Sequence, residues 1–147
     1  MYDVGMTNLK HRVGVIPFSD KGSQSAILLI TSLTRSRLIF PKGKLELKES
    51  HEDGCKREAF EEAGITGKVF NDFPITTLIT SASEGKIEKF PVTFYPFSVQ
   101  KQLDDWPEKQ KRERRWVLLE DVRKIVSKED YLPLINQFIN LKPWIAK

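Results

Sequence analysis

The sequence predicts a mixed α/β domain with helices packed on a sheet. Segments rich in β-branched and aromatic residues lie on both sides of one strongly charged helix signal. A hairpin pattern follows that helix, and an amphipathic helix pattern closes the chain. Strands, helix, strands, helices is the order of a layered α/β fold. A length of 147 residues corresponds to one domain, residues 1–147, with enough chain to bury its own core.

"RVGVIPF" (Arg12 to Phe18) reads as the first strand and "DKG" (Asp20 to Gly22) as a turn. "AILLITSL" (Ala26 to Leu33) is a continuous apolar run, the pattern of a strand buried on both faces. "RLIFPKGK" (Arg37 to Lys44) is a short strand interrupted by Pro41 and Gly43. Ser50 opens a helix, with Asp53 at capping-box spacing. Gly64 suits a left-handed closing residue, so the helix is expected from about Ser50 to Ala63. "KVFNDFPITTLITSA" and "EKFPVTFYPFSVQ" are the arms of the expected hairpin, turning around Ser83 to Lys86. "RRWVLL" is a further short strand and "LEDVRKIV" a helix. "YLPLINQFINL" is a last amphipathic helix with Pro133 in its first turn.

The net charge of +4 is too small to imply nucleic acid by itself, and its distribution says more. Cations concentrate in "KQKRERRW" (Lys109 to Trp116), and anions between Glu46 and Glu62. No apolar run is long enough for a membrane span, and Met1 to Lys10 lacks the apolar segment of a secretory signal. The one cysteine, Cys55, allows no intramolecular disulfide, which fits a reducing, cytoplasmic setting. Nothing in the sequence indicates an oligomeric state.

The chemistry concentrates in "KREAFEEAG" (Lys56 to Gly64). On an α-helix, Glu58 and Glu62 are four apart, Arg57 and Glu61 four apart, and Glu58 and Glu61 three apart, so all share one broad face. Cys55, Ala59 and Ala63 form a separate small-residue face that could lie close against a sheet. On its own, E-x-x-E-E is an ordinary solvated helix face. Three such carboxylates repel one another unless a hard divalent cation compensates, and Mg²⁺ prefers carboxylate, water and phosphate oxygen. Arg57 could brace one of them.

The residues upstream change that reading. Gly43 is followed by five residues and Glu49, then seven more and Arg57-Glu58, Ala59, Phe60, Glu61-Glu62, Ala63, Gly64 and Ile65. This stretch, residues 43–65, resembles the Nudix box, G-x5-E-x7-R-E-U-x-E-E-x-G-U with U apolar. Every fixed letter stands at its spacing, and the one soft departure is Ala59, small for its position. The resemblance implies an α/β/α sandwich with a mixed sheet. It also implies Mg²⁺- or Mn²⁺-dependent hydrolysis of a phosphoanhydride. By the same resemblance Glu58, Glu62 and the backbone carbonyl of Lys42 would hold metal. Glu61 would be a further ligand or the base, with Glu58 the alternative base. Glu49 would support Arg57.

Local features resemble the branch that hydrolyses diadenosine polyphosphates and diphosphoinositol polyphosphates. "FPKGK" has Lys42 where many nucleotide-cleansing members have glycine, and "WPEKQKRERRWVLLEDV" is similar to that branch's late segment. The implied partner is a small phosphate-rich molecule. Lys10 to Arg12, Arg35, Arg37, Lys44, Arg112 and Arg115 are candidate phosphate contacts, with Arg114 beside them. Arg112 and Arg115 could equally be solvated surface charges, and Lys10 to Arg12 read as surface more than site. Glu113, or else Glu108, is a candidate extra metal carboxylate or base. Cys55 reads as packing, His51 as an exposed first-turn residue, and His11 has no evident partner. Trp106 and Trp116 could stack on a base or pack. The rival readings are a nucleoside triphosphate or nucleotide-sugar hydrolase, an RNA 5′-pyrophosphohydrolase, and a silent ligand-binding module.

Overall fold

The computed structural model describes residues 11–83, 85–126 and 129–145, so Lys10 and part of the expected 83–86 turn lie outside the described residues. The strands are β1 (Arg12–Lys21), β2 (Gln24–Thr31), β3 (Leu38–Ile39) and β4 (Lys42–Lys44), followed by helix α1 (His51–Ala63). Next come β5 (Ile65–Val69), β6 (Ile75–Ser83), β7 (Lys86–Gln102) and β8 (Arg114–Leu118). A 3-10 turn (Leu119–Asp121), α2 (Val122–Ile125) and α3 (Tyr131–Ile145) complete the order.

The strands form one mixed sheet. β1 runs parallel to β7, and the remaining pairs are antiparallel. β7 is long enough to pair with β6 through its first half and β5 through its last, both on the edge away from β1. On its other edge β1 pairs with β2 only from Phe18 onward, opposite Ile27. Its first residues pair instead with β4, Arg12 opposite Lys44 and Gly14 opposite Lys42. β2 meanwhile continues to β3 and β8. The sheet therefore opens between β1 and β2, and the chain from Leu38 to Lys44 fills the opening, with Val15 N donating to Pro41 O at 3.0 Å.

Strand alternation then makes two cores. Val13, Val15, Leu28, Ile30, Tyr95 and Phe97 face α1, where the small side chains of Cys55, Ala59 and Ala63 meet them. Ile16, Phe18, Ile27, Leu29, Val92 and Phe94 face the other way, onto Tyr131, Leu134, Ile135 and Phe138 of α3. Each large side chain so buried contributes about 1.5–3 kcal/mol. The layers are the expected α/β/α sandwich, and the small-residue face of α1 lies on the sheet as expected.

Ser50 Oγ accepts from Asp53 N at 3.0 Å, and Gly64 closes α1 with φ 64° and N–H bonds to Ala59 and Phe60 carbonyls. Two expected elements differ. "KVFNDFPITTLITSA" is not one arm but two strands, because Asn71-Asp72 and Pro74 turn the chain, with Phe73 N bonded to Phe70 O at 3.2 Å. "LEDVRKIV" makes only a 3-10 turn and a single helical turn.

The two histidines also have partners the sequence did not reveal. Their rings stack at 5.4 Å between centroids. His11 Nε2 lies 2.8 Å from Thr93 Oγ1, and His51 Nδ1 lies 2.8 Å from Tyr95 Oη, tying α1 to β7. Burial first, and then the neighbouring His51, hold His11 below its ordinary pKa of 6.5. A lowered histidine pKa favours the neutral form in the folded chain. Stability is therefore lost as pH falls from the ordinary value toward the lowered one. The drop in melting temperature between pH 7.5 and 5.5 should shrink in His11→Gln; an unchanged drop in thermal scans would exclude His11 as its source.

Candidate functional site

The site forms where the filled opening in the sheet meets α1. Docking by Cys55, Ala59 and Ala63 turns Glu58 and Glu62 inward, leaving them 7% and 8% exposed. Glu61 and Arg57 stay on the outer side, with side chains 32% and 22% exposed. The single broad face expected from helical spacing is thus split by the sheet into an inner pair and an outer pair. Cys55 is fully buried, its thiol donates to Gly14 O at 3.4 Å, and burial pushes its pKa up to about 12, which removes it as a nucleophile.

Arg57 is the hub of the outer half. Its Nε and Nη2 bond the two oxygens of Glu49 at 2.8 Å each. Nη1 reaches Glu58 Oε1 at 2.7 Å and Glu61 Oε1 at 3.3 Å, and Nη2 also donates to Lys44 O at 2.8 Å. Glu46 adds a further carboxylate, 3.2 Å from Nε. These hydrogen bonds, Glu49's foremost, raise the Arg57 pKa further and hold that of Glu49 down.

The inner half is built on Glu62. Its Oε1 accepts from Lys42 N at 3.2 Å. Its Oε2 lies 3.6 Å from Arg112 Nη2. Arg112 also bonds Glu108 Oε1 at 2.8 Å and Thr31 O at 2.9 Å. Burial, and then the adjacent Glu58 carboxylate, push Glu62 up to about 8, against the opposing pull of Arg112. Glu58 lies so close to Gly43 that a Cβ there would overlap its carboxylate. This is the physical reason for glycine at that position.

The structure separates the expected phosphate contacts. Arg12 and Lys44 are cross-strand partners on β1 and β4, beside Gly43. The Arg12 guanidinium lies 3.7 Å from the Phe90 ring centroid, and its buried Nε has no hydrogen-bond partner among the described residues. Arg37 is exposed after the 32–36 turn. Arg35, in a left-handed conformation (φ 61°), bonds Gln110 O at 2.9 Å. Two expectations are corrected. Arg112 is 8% exposed and committed inward, because Glu62, Glu108 and Thr31 take its donors. Arg115 lies on the sheet face shared by Leu29 and Val117, opposite α1. Glu113 is corrected as well: its side chain is 63% exposed and faces Arg35 at 3.9 Å, so Glu108 is the late carboxylate next to the inner pair.

Could this set hold a divalent cation? The donors are hard carboxylate oxygens, and Glu46, Glu49, Glu58, Glu61, Glu62 and Glu108 outnumber the guanidiniums of Arg57 and Arg112. A carboxylate whose pKa is raised by burial, and further by a neighbouring carboxylate, is one a cation would relieve. Among the described residues no three His, Cys, Asp or Glu side chains converge as a ready ligand shell. The reason is visible in Arg57 Nη1, which is shared between Glu58 and Glu61. The residues fit Mg²⁺ or Mn²⁺ in charge and chemistry, with side-chain rotation needed to bring them together.

Residues 9–138 match the family model described as NUDIX domain. The chain belongs to the Nudix family. It is 33% identical over 118 residues to Nudix hydrolase 18, mitochondrial, of Arabidopsis thaliana, covering 76% of this chain and 65% of that protein. It is 28% identical over 120 residues to diphosphoinositol polyphosphate phosphohydrolase 3-beta of Bos taurus, covering 80% and 70%. The chain thus spans somewhat under two thirds of the length of that plant relative. Among solved structures, a C. elegans Ap4A hydrolase binary complex matches with TM-score 0.72 at 21% identity, covering 92% of this chain and 98% of that one. That likeness supports the fold.

Sequence reasoning named Trp106 and Arg114 as candidate ligand contacts and missed their role at the end of α1. Trp106 Nε1 bonds Glu62 O at 3.2 Å, and Arg114 Nη1 bonds Ala63 O at 3.2 Å and Leu103 O at 2.8 Å. One signal was available: the last turn of α1 carries no basic residue, so its carbonyls needed partners from elsewhere.

Overpacking at Gly43 is testable. Gly43→Ala should cost about 1–3 kcal/mol in urea unfolding. On a Glu58→Ala background that cost should shrink; an equal cost would show that the added methyl meets something else.

Proposed function

We propose that this chain is a divalent-cation-dependent pyrophosphohydrolase acting on small phosphate-rich molecules, diadenosine polyphosphates or diphosphoinositol polyphosphates. The observation that carries this is the buried Glu58–Glu62 pair seated against Lys42 N and Gly43 of β4. The names of the bovine relative and the C. elegans structural neighbour agree with it. Lys42 and Lys44 flank Gly43 on β4 and share one sheet face with Arg12, a run of positive charge suited to several phosphates.

Glu58, Glu62 and the Lys42 carbonyl would hold the cation, which neutralises phosphate charge and activates water when bound. Glu61, more exposed than Glu58 and Glu62, takes the proton from the attacking water. Arg57, clamped by Glu49, keeps Glu58 and Glu61 oriented. Arg12 and Lys44, with Arg37 and Arg35 toward the late loop, orient the phosphate chain. A single buried cysteine agrees with a cytoplasmic setting. Because some relatives bear organellar names, imaging of the tagged chain decides between compartments.

A release assay with Mg²⁺ or Mn²⁺ across dinucleoside polyphosphates, inositol pyrophosphates, nucleoside triphosphates, nucleotide sugars and triphosphorylated RNA tests the reading. Preferred release from either of the first two classes is expected. Preference for triphosphates would overturn the substrate class, and no release from any would overturn the activity. Glu61→Gln should lower kcat by on the order of a hundredfold or more, and a near-normal rate would remove Glu61 from the role.

Cation binding also carries a proton signature. Glu62 must lose its proton to bind metal, and its pKa is pushed up to about 8. Mn²⁺ affinity should therefore strengthen from pH 6 to 8, by up to about tenfold per unit, and then level. Calorimetry in buffers of different ionisation enthalpy would detect the released proton; flat affinity across this range would sink the assignment.

A further inference from the structure

An α-helix leaves its last four carbonyls without partners inside the helix. In α1 these belong to Phe60, Glu61, Glu62 and Ala63; Gly64 N takes the first at 3.0 Å, and the other three remain, with the carbonyl of Gly64 itself. Every one that remains is satisfied by the chain between Leu103 and Arg114. Glu61 O accepts from Glu108 N at 3.1 Å. Glu62 O accepts from Trp106 Nε1 at 3.2 Å. Ala63 O and Gly64 O accept from Arg114 Nη1 at 3.2 and 3.3 Å, and Gly64 O also from Leu103 N at 2.8 Å.

The parts of this cap hold one another. The Arg114 guanidinium lies 4.0 Å from the Trp106 ring centroid, a stacked cation–π contact. The Trp106 ring in turn covers Gly64, where any Cβ would strike it. Arg114 places the positive charge that the last turn of α1 lacks at the negative end of the helix. Two of the captured carbonyls are those of Glu61 and Glu62. The cap therefore fixes the backbone from which those side chains reach the site.

We propose that Trp106 and Arg114 are positioning residues, a clamp that sets the height and rotation of the last turn of α1 so that Glu61 and Glu62 meet their partners. This rests on the pyrophosphohydrolase reading for its catalytic consequence. Its mechanical part stands on the hydrogen bonds alone.

The test compares full-length Trp106→Phe, Arg114→Ala and Arg114→Lys with a stability control, Val117→Ala, in the core away from the clamp. Hydrogen exchange of the metal-free proteins should speed up in the last turn of α1 for Trp106→Phe and Arg114→Ala, and not for Val117→Ala. Their kcat should fall by on the order of ten- to a hundredfold with KM little changed. Mn²⁺ affinity should weaken severalfold, and Arg114→Lys should recover part of each loss. Unchanged exchange in the last turn would overturn the clamp. Faster exchange with wild-type kcat and Mn²⁺ affinity would overturn its positioning role. If the wild-type chain hydrolyses nothing, the activity reading fails separately, while exchange and Mn²⁺ affinity still decide the clamp.

Discussion

Everything at the candidate site depends on where β1 and β2 part. Were the two strands paired along their whole length, the sheet would present a closed surface to α1. Instead their pairing covers only the hairpin end, and β4 takes over the edge of β1 from Arg12 to Gly14. That substitution brings Lys42 N and Gly43 directly beneath Glu62 and Glu58. It also leaves Thr31 O, at the far end of β2, to receive the Arg112 guanidinium. The inner carboxylate pair is thus seated on backbone that the opening displaces from regular sheet pairing.

Burying two glutamates in such a place is costly, and the structure offsets the cost unevenly. Glu58 has a guanidinium at 2.7 Å, whereas Glu62 has one only at 3.6 Å and shares it with Glu108 and Thr31 O. Close, charge-assisted pairing favours an ionised carboxylate, and burial beside another anion disfavours it. The raised pKa of Glu62 follows from its burial first and then from the Glu58 carboxylate beside it, against the pull of Arg112. Replacing Arg57 or Arg112 by an apolar residue would leave buried carboxylates unpaired, a change that costs about 3–5 kcal/mol in buried pairs generally.

The central helix was legible in the sequence because its signals are local. Ser50, Asp53 and Gly64 mark its ends, and the spacing of Glu49, Arg57, Glu58, Glu61 and Glu62 marks its chemistry. The pairing of Arg57 with Glu49 spans a single loop and helix start, so the motif could carry it. The split of the glutamates into inner and outer pairs was not legible. A helical wheel gives relative angles, and the sheet decides which angle is buried. The histidine stack likewise joins the residue before β1 to the first residue of α1, which no local pattern relates.

The late segment shows the same limit most clearly. Read alone, "WPEKQKRERRW" is a basic, solvated loop with arginines free for phosphate. In the fold its arginines diverge according to strand parity and distance. Arg115 faces away from α1, Arg114 faces the end of α1, and Arg112 precedes the strand and turns under Glu62. Three cations within four residues thus have three fates, none fixed by charge. What selects among them is the set of unmet acceptors on α1. A helix that ends without a basic residue presents bare carbonyls, and a buried glutamate presents acceptor oxygens that need partners. A guanidinium that satisfies either stays, so a segment that looks like a ligand surface becomes half of the scaffold beneath the site.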